Sequence, residues 1–382
     1  MTDTISLIID EMNFKILDHK RFSPSSIGIL ESPYYDFGGK PYIKCTFNPT
    51  RKDYSIYPYL PRLTLMKVVR RGGFSIFLKV EFSIPKLLYG NNFDELVESD
   101  FGEVCWKLKE VLLSMGVLIN DIKTISYAEV STFHPSKNIV LSDYSIPLTT
   151  IKEIARVNMN KLLDMNQTDY RNGGYSIKCH TNDYEVIFYD KLADLKQAKI
   201  SDNRAIEKDN FVQLNIFDKV QIDMPFEVLR MEVRLGSKRR IRETLKKLGY
   251  DEKDITFIKL FNKRLVQDIL MYTVNKMDSD YPVLLKEDFH SNEGFLTQLM
   301  ISNPKMKYKN CLAMVGARNL LNELGTRNFR NVTDKYDKSN WYRLNKEMKL
   351  LSFNKQLSPF ANIKEALTIF ETVKLENYKN KM

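Results

Sequence analysis

The chain has 382 residues, 43% of them hydrophobic and 28% charged, and its 58 Lys and Arg against 48 Asp and Glu leave a net charge of +10. That is ordinary globular composition, long enough for two or three domains. A basic balance of this size favours a polyanionic partner, and no apolar run approaches the roughly 20 residues that span a bilayer, so nucleic acid is preferred to a membrane.

In chain order, Ile5–Ile9 and Tyr42–Phe47 read as strands, and Arg62–Val69 and Phe74–Phe82 flank Arg70-Arg71-Gly72-Gly73 as a hairpin. Val104, Leu108, Val111 and Leu112 recur at helical spacing within Asp100–Met115. Ile122–His134 reads as a strand, Leu148–Met165 as a helix after Pro147, and Tyr184–Tyr189 as a strand. A helical stretch from Asp190 to about Ala205 then enters a long loop over 201–225, a length often tied to function. Val228–Leu235 is the clearest strand, and Gly236 ends it. Beyond Lys238 the pattern turns helical: Arg239–Leu248, Asp254–Lys276, Asn292–Met300, Tyr308–Leu324 and Lys338–Leu351, with a polar, frayed end. The expected fold class is α+β, a mainly antiparallel sheet with flanking helices over 1–250 and a helical region over 251–382. The start, Met-Thr-Asp-Thr-Ile-Ser, has no signal-peptide pattern, and Cys45, Cys105, Cys179 and Cys311 lack C-x-x-C spacing. Both point to a cytoplasmic protein with reduced thiols.

The strand 228–235 carries Leu229, Met231, Val233 and Leu235 on one face and Arg230, Glu232 and Arg234 on the other, followed by a helix start with Lys238, Arg239, Arg240 and Arg242. A carboxylate between guanidiniums beside a basic cluster suits a metal and a phosphodiester held together; an edge-strand salt-bridge ladder is the plainer explanation. Alternation in the strand ending at His134 places Tyr127, Glu129, Ser131 and Phe133 on one face and Ala128, Val130, Thr132 and His134 on the other. Glu185, Ile187, Tyr189 and Lys191 share a face of the Tyr184 strand. Were these three strands neighbours, one face would gather carboxylates, a tyrosine, a lysine and two arginines. Carboxylate oxygens suit Mg²⁺ or Mn²⁺, and an imidazole such as His134 shifts the preference toward Mn²⁺. A tyrosine oxygen could then attack phosphorus, with Lys191 tuning the phenol or neutralising phosphate charge. Taken singly, Tyr189 packs, Glu129 lies on a solvated face, and His134 marks a strand end before Pro135. A P-loop, a G-x-G-x-x-G and an H-E-x-x-H are all missing, which speaks against an ATPase, a Rossmann dehydrogenase and a zincin.

Four stretches, in order, resemble the rolling-circle replication initiators of filamentous phages (the gene II protein type) and related plasmid replication proteins. They are Phe82-Ser83-Ile84-Pro85-Lys86-Leu87-Leu88-Tyr89-Gly90-Asn91-Asn92, the Ile125–Phe133 run, Val186-Ile187-Phe188-Tyr189-Asp190-Lys191, and Val228-Leu229-Arg230-Met231-Glu232-Val233-Arg234-Leu235. The 313–351 region with Trp341-Tyr342-Arg343 is a looser match. The resemblance implies an HUH/relaxase-like nicking domain: a metal-dependent endonuclease whose tyrosine cleaves one strand at an origin, keeps the 5′ phosphate, leaves a 3′ hydroxyl and later rejoins the strand. It implies Tyr189 as nucleophile, Lys191 beside it, Glu232 as metal carboxylate and Glu129 as acidic partner; His134 enters on chemistry alone. Arg230, Arg234, Lys238, Arg239, Arg240 and Arg242 would contact origin DNA, single-stranded or supercoiled duplex. A host helicase and polymerase would be further partners, with no membrane. A non-catalytic DNA-binding protein, or an RNA-binding protein using its aromatic residues (12% of the chain), stays open beside it.

Overall fold

The computed structural model describes residues 1–32, 41–57, 59–71, 73–141, 145–156, 167–171, 174–194, 227–286, 291–353 and 358–379. Its centre is a ten-stranded antiparallel sheet in the order β3-β4-β5-β6-β1-β8-β12-β11-β10-β9. These strands are β1 Thr2–Asp10, β3 Phe22–Ser23, β4 Tyr42–Phe47, β5 Arg62–Arg70, β6 Gly73–Ser83, β8 Glu129–Leu141, β9 Gln167–Arg171, β10 Ser176–His180, β11 Tyr184–Asp190 and β12 Glu227–Leu235. A small second sheet pairs β2 Phe14–Ile16 with β7 Val117–Ile119. The α+β class with an antiparallel sheet and a largely helical C-terminal region is as expected.

Alternation sets which face is buried. Ile5, Leu7 and Ile9 of β1, Leu78, Val80 and Phe82 of β6, Val186 and Phe188 of β11, and Leu229, Met231, Val233 and Leu235 of β12 all join one apolar core. Side chains at the intervening positions point the other way, as period-two geometry requires. Onto the apolar face pack α4 Phe101–Ser114, α6 Pro147–Ile154, α7 Lys238–Lys247, α9 Lys263–Asp280 and α13 Ala361–Ile369. The sheet is therefore two-sided in chemistry: helices and the main core on one face, and on the other mostly polar side chains with a small apolar cluster where Val228 and Val140 meet Phe93, Leu192 and Val373.

Strand β8 departs from simple alternation. Thr132 pairs with Ser6 but Val130 pairs with Leu7, a one-residue shift. Val130 and Phe133 consequently both reach the core and are fully buried. This bulge turns Glu129 and His134 to the same polar face, where strict alternation had put them on opposite faces. The strand also starts later and runs further than expected. Residues Ile122–Ser126 are a short helix, α5, and β8 continues through Pro135 to Leu141. Pro135 pairs with Thr2 at a second shift in the β1 ladder, so its missing N–H falls where pairing is already interrupted.

Two strands, β9 and β10, lie beyond the expected set. Ser176, Lys178 and His180 alternate with buried Ile177 and Cys179, and the chain returns into β11 with the Thr181 N–H donating to Tyr184 O at 2.8 Å. The expected helix 148–165 spans Pro147–Ile154. The remainder of that stretch beyond residue 156 lies outside the described residues, as do 195–205 of the next expected helix and the 201–225 loop. The expected helix 254–276 is two: α8 Phe257–Leu260 and α9, separated where Asn262 accepts the Leu265 N–H at 2.8 Å as an N-cap.

The C-terminal end is not simply frayed. Phe360, Ile363, Leu367 and Phe370 are buried in the core beneath the sheet, which also takes in α8 and α9. A separate apolar cluster joins Leu284, α10 Asn292–Ser302, α11 Tyr308–Asp334 and α12 Lys338–Lys349 through Phe295, Met314, Leu321, Phe329, Trp341 and Met348. Among the described residues, no helix is long and apolar enough to cross a membrane.

Candidate active site

Strands β8, β12 and β11 are consecutive in the sheet, so the three rows singled out in the sequence do meet. Arg230 lies opposite Tyr189 on β11 and Asn138 on β8; Glu232 lies opposite Ile187 and Ser136; Arg234 lies opposite Glu185. Strand β10 extends the rows with Ser176 beside Tyr189, Lys178 beside Ile187 and His180 beside Glu185. The polar face thus carries transverse bands of side chains centred on β12.

Glu232 is the hub. It is 1% exposed, accepts from Arg234 Nε at 2.8 Å, and its Oε1 lies 3.5 Å from His134 Nδ1. Burial pushes its carboxyl up, but the Arg234 guanidinium and the facing imidazole outweigh that and hold it well below the usual carboxylate range. Arg234 also reaches Glu185 at 3.4 Å, and Glu185 takes Lys178 at 2.6 Å. His134, Arg234, Glu185 and Lys178 are all partly exposed, so solvent reaches this band.

Tyr189 sits beside this hub, partly buried, with the Lys191 ammonium 5.6 Å from its ring centroid. Its Oη makes no hydrogen bond among the described residues, although a buried phenol ordinarily finds a partner. Burial raises its pKa well above the ordinary value; Arg230 pulls it down and Glu232 pushes it up. Lys191 follows the strand directly. Asp190 Oδ1 accepts the Ala193 N–H at 2.8 Å and so caps a helical turn over 191–194, which swings Lys191 off the strand into a fully buried position. Burial drags the Lys191 pKa down to about 8, with Asp194, 3.4 Å away, acting the other way. An amine that loses its proton near neutrality is suited to accept one in a reaction.

The remaining expected residues are placed elsewhere. Arg230 is not a surface contact. Its guanidinium is buried, donates to Asn92 O at 2.8 Å, Ser136 Oγ at 3.1 Å and Asn138 Oδ1 at 3.2 Å, and pairs with Asp3 at 3.2 Å. It braces three segments of chain under Tyr189. Arg230→Ala is expected to destabilise the protein by about 3–5 kcal/mol, because Asp3 would be left without its buried partner. The urea midpoint measures this, and a midpoint equal to wild type would rule out the bracing role. Glu129 shares the polar face but not the hub. It pairs with Lys238 and, at 2.8 Å, with Arg242. Five residues of strand, roughly 16 Å, separate it from His134.

The basic cluster at the start of α7 is similarly engaged. Besides the Glu129 pairs, Arg240 binds Asp183 at 3.0 Å and Glu243 at 3.1 Å, and the 74%-exposed Arg239 reaches the same two carboxylates at 3.7 and 3.8 Å. Gly236 makes this possible: a Cβ there would meet Asp183 O at 3.3 Å, where the Gly236 N–H donates at 2.8 Å. Sequence reasoning missed Asp3, Lys178 and Asp183. The first is three residues from the chain start, with no local pattern; the other two belong to the β10–β11 hairpin, whose alternation was present to be read.

A divalent cation fits the His134–Glu232 pair by donor chemistry. Among the described residues no third His, Cys, Asp or Glu joins them. Mg²⁺, however, commonly binds through one or two carboxylates plus substrate phosphate, and an imidazole favours Mn²⁺. Glu232 Oε1 serves both Arg234 and His134, which leaves Oε2 as the oxygen for a cation among the described contacts.

No family model matches the chain, and neither a curated protein nor a solved structure matches it.

Proposed function

We propose that the polar sheet face is the active centre of a DNA nicking-joining enzyme, of the kind that initiates rolling-circle replication. The observation that carries this reading is the placement of Tyr189 beside a buried, ionised carboxylate, a buried lysine near neutrality and a partly exposed cationic band, all on the face opposite the helices. The sequence resemblance to phage and plasmid initiators falls on the same residues.

Tyr189 Oη attacks the phosphorus of a phosphodiester and forms a phosphotyrosine bond to the 5′ side. The bond to the 3′ oxygen breaks, and that oxygen leaves as a hydroxyl after taking a proton from water. The phenol proton passes to neutral Lys191, directly or through water. The linkage retains the energy of the broken bond, so a 3′ hydroxyl can attack it and rejoin the strand. Arg234 and Lys178 offset charge that builds on the phosphoryl oxygens. His134 and Glu232 would hold Mg²⁺ or Mn²⁺, which when bound polarises the phosphoryl group. Arg230 keeps β12 and β11 in place beneath the tyrosine.

The test is a denaturing gel of the protein incubated with labelled single-stranded DNA and with supercoiled plasmid, in Mn²⁺ and in EDTA. A slow-migrating protein–DNA adduct formed in Mn²⁺ and lost in EDTA is expected. Firm DNA binding with no adduct on either substrate would sink the enzymatic reading in favour of a binding protein.

A further inference from the structure

The four cations at the start of α7 are engaged by acids, and much of the chain's excess positive charge lies in another region. Residues 291–349 hold eleven Lys and Arg against five Asp and Glu, six of the chain's ten net charges. This is the region built around the second apolar cluster.

Its end has a definite layout. Gly325, at φ +70° and ψ 164°, breaks α11 and leaves a short helical segment from Thr326 to Asp334. Three residues, Lys335–Asp337, then lead into α12, where Asp337 accepts the Ser339 N–H at 2.8 Å as N-cap. The two helices are locked together on their inner sides, where Phe329 and Trp341 meet edge to face at 6.0 Å, and at the surface, where Arg330 lies over the Tyr342 ring at 5.6 Å. Trp341 and Met348 face inward, while Ser339, Tyr342, Arg343, Lys346 and Lys349 face solvent, with Asn340 half-exposed. Lys335, Lys346 and Lys349 have no carboxylate partner among the described residues. Arg343 pairs with Asp337 at 3.0 Å and donates to Ser339 Oγ at 2.8 Å and Asn340 Oδ1 at 2.9 Å, but at 66% exposure these contacts are worth little and are readily exchanged.

We infer that residues 326–349 form a helix-turn-helix unit whose second helix, α12, enters the major groove of duplex DNA. Two helices joined by a three-residue turn, the second capped and buried on one side only, match that motif. Asn340 and Arg343 lie in the first half of α12, where such a helix meets base edges, and Asn and Arg are the side chains that pair bidentately with adenine and guanine. Lys346 and Lys349 follow on the same exposed helix, placed for phosphates. The unit is separate from Tyr189, and the inference does not rest on the nicking reading.

The test uses the full chain, fluorescence anisotropy and a labelled duplex of mixed sequence at rising KCl. Arg343→Ala with Lys346→Ala is compared with Lys246→Ala with Lys247→Ala, which removes equal charge from exposed sites on α7. The first pair is expected to weaken duplex binding roughly tenfold or more and to flatten the salt dependence by about one unit per lost phosphate contact. The second is expected to weaken it far less. Circular dichroism melts check that both remain folded, as exposed positions predict. Equal losses from both pairs would reduce the effect to net charge and overturn the inference; so would an equal loss on the matching single strand, or no duplex binding by wild type. Adduct formation on single-stranded DNA, measured in parallel, reports on the Tyr189 chemistry alone: if it fails while the α12 variants lose duplex binding, the nicking reading falls and this one stands.

Discussion

Tyr189→Phe is expected to abolish the covalent DNA adduct, by about 10³-fold or more, while leaving the protein folded and still able to bind DNA. The substitution removes one oxygen. That oxygen makes no hydrogen bond among the described residues, so no protein partner is stripped, and the ring keeps its place between Arg230 and Ser176. A stability change is therefore not expected, and the unfolding midpoint checks it. Tyr184, at the start of the same strand, is a poor substitute. It pairs in register with Leu235, and its hydroxyl contacts Thr273 of α9 at 3.3 Å on the core side. An adduct undiminished in Tyr189→Phe would remove Tyr189 as nucleophile.

Lys191→Met is expected to make the protein more stable and less active. Burial lowers the folded-state pKa of Lys191 from 10.5 to about 8. Between those values the unfolded chain holds a proton that the folded chain has lost, so wild-type stability rises with pH across that window. Below pH 8 both states are protonated and the full cost of the buried ammonium falls on the fold. Methionine has no such cost, and the mutant should gain about 3 kcal/mol at pH 7, shrinking toward zero as pH rises past 8 to 10.5. Urea melts at pH 7 and pH 10 measure the difference. Adduct formation should fall by about 10²-fold or more, since the proton acceptor is gone. In wild type the nicking rate should climb with pH and level off above about 8. A mutant that is less stable at pH 7, or a wild-type rate flat across that range, would show that Lys191 serves packing.

Much of the candidate site is legible in the local pattern of the sequence. Alternation in Val228–Leu235 sorted Arg230, Glu232 and Arg234 from the core residues correctly, because side chains on a strand must point to opposite faces. The same rule put Glu185 and Tyr189 in one row, and both rows hold in the sheet. It failed at β8. One extra residue between Val130 and Phe133 reverses the alternation, and bulges leave no dependable mark in sequence. The roles of the cations failed for a different reason. Arg230 and Arg234 look alike on the strand, yet one is sealed under Asn92 and Asp3 and the other stands half in solvent. Segments about 140 and 230 residues away in sequence decide that difference, and local patterns carry no record of them.

By itself, then, the sequence determined most of the strands and the polar face of β11 and β12, with Glu185, Tyr189, Arg230, Glu232 and Arg234 on it. Period-two geometry is a local constraint, so local residues suffice to state it. Only the tertiary structure decided which of those groups are neighbours and which are already spent. It set His134 against Glu232, gave Glu129 to Lys238 and Arg242, and matched the four cations at the start of α7 with acids, while the exposed lysines of α12 keep no such partner among the described residues. Pairing of charges depends on where a fold brings remote segments together, and that is a property of packing, not of any stretch of chain.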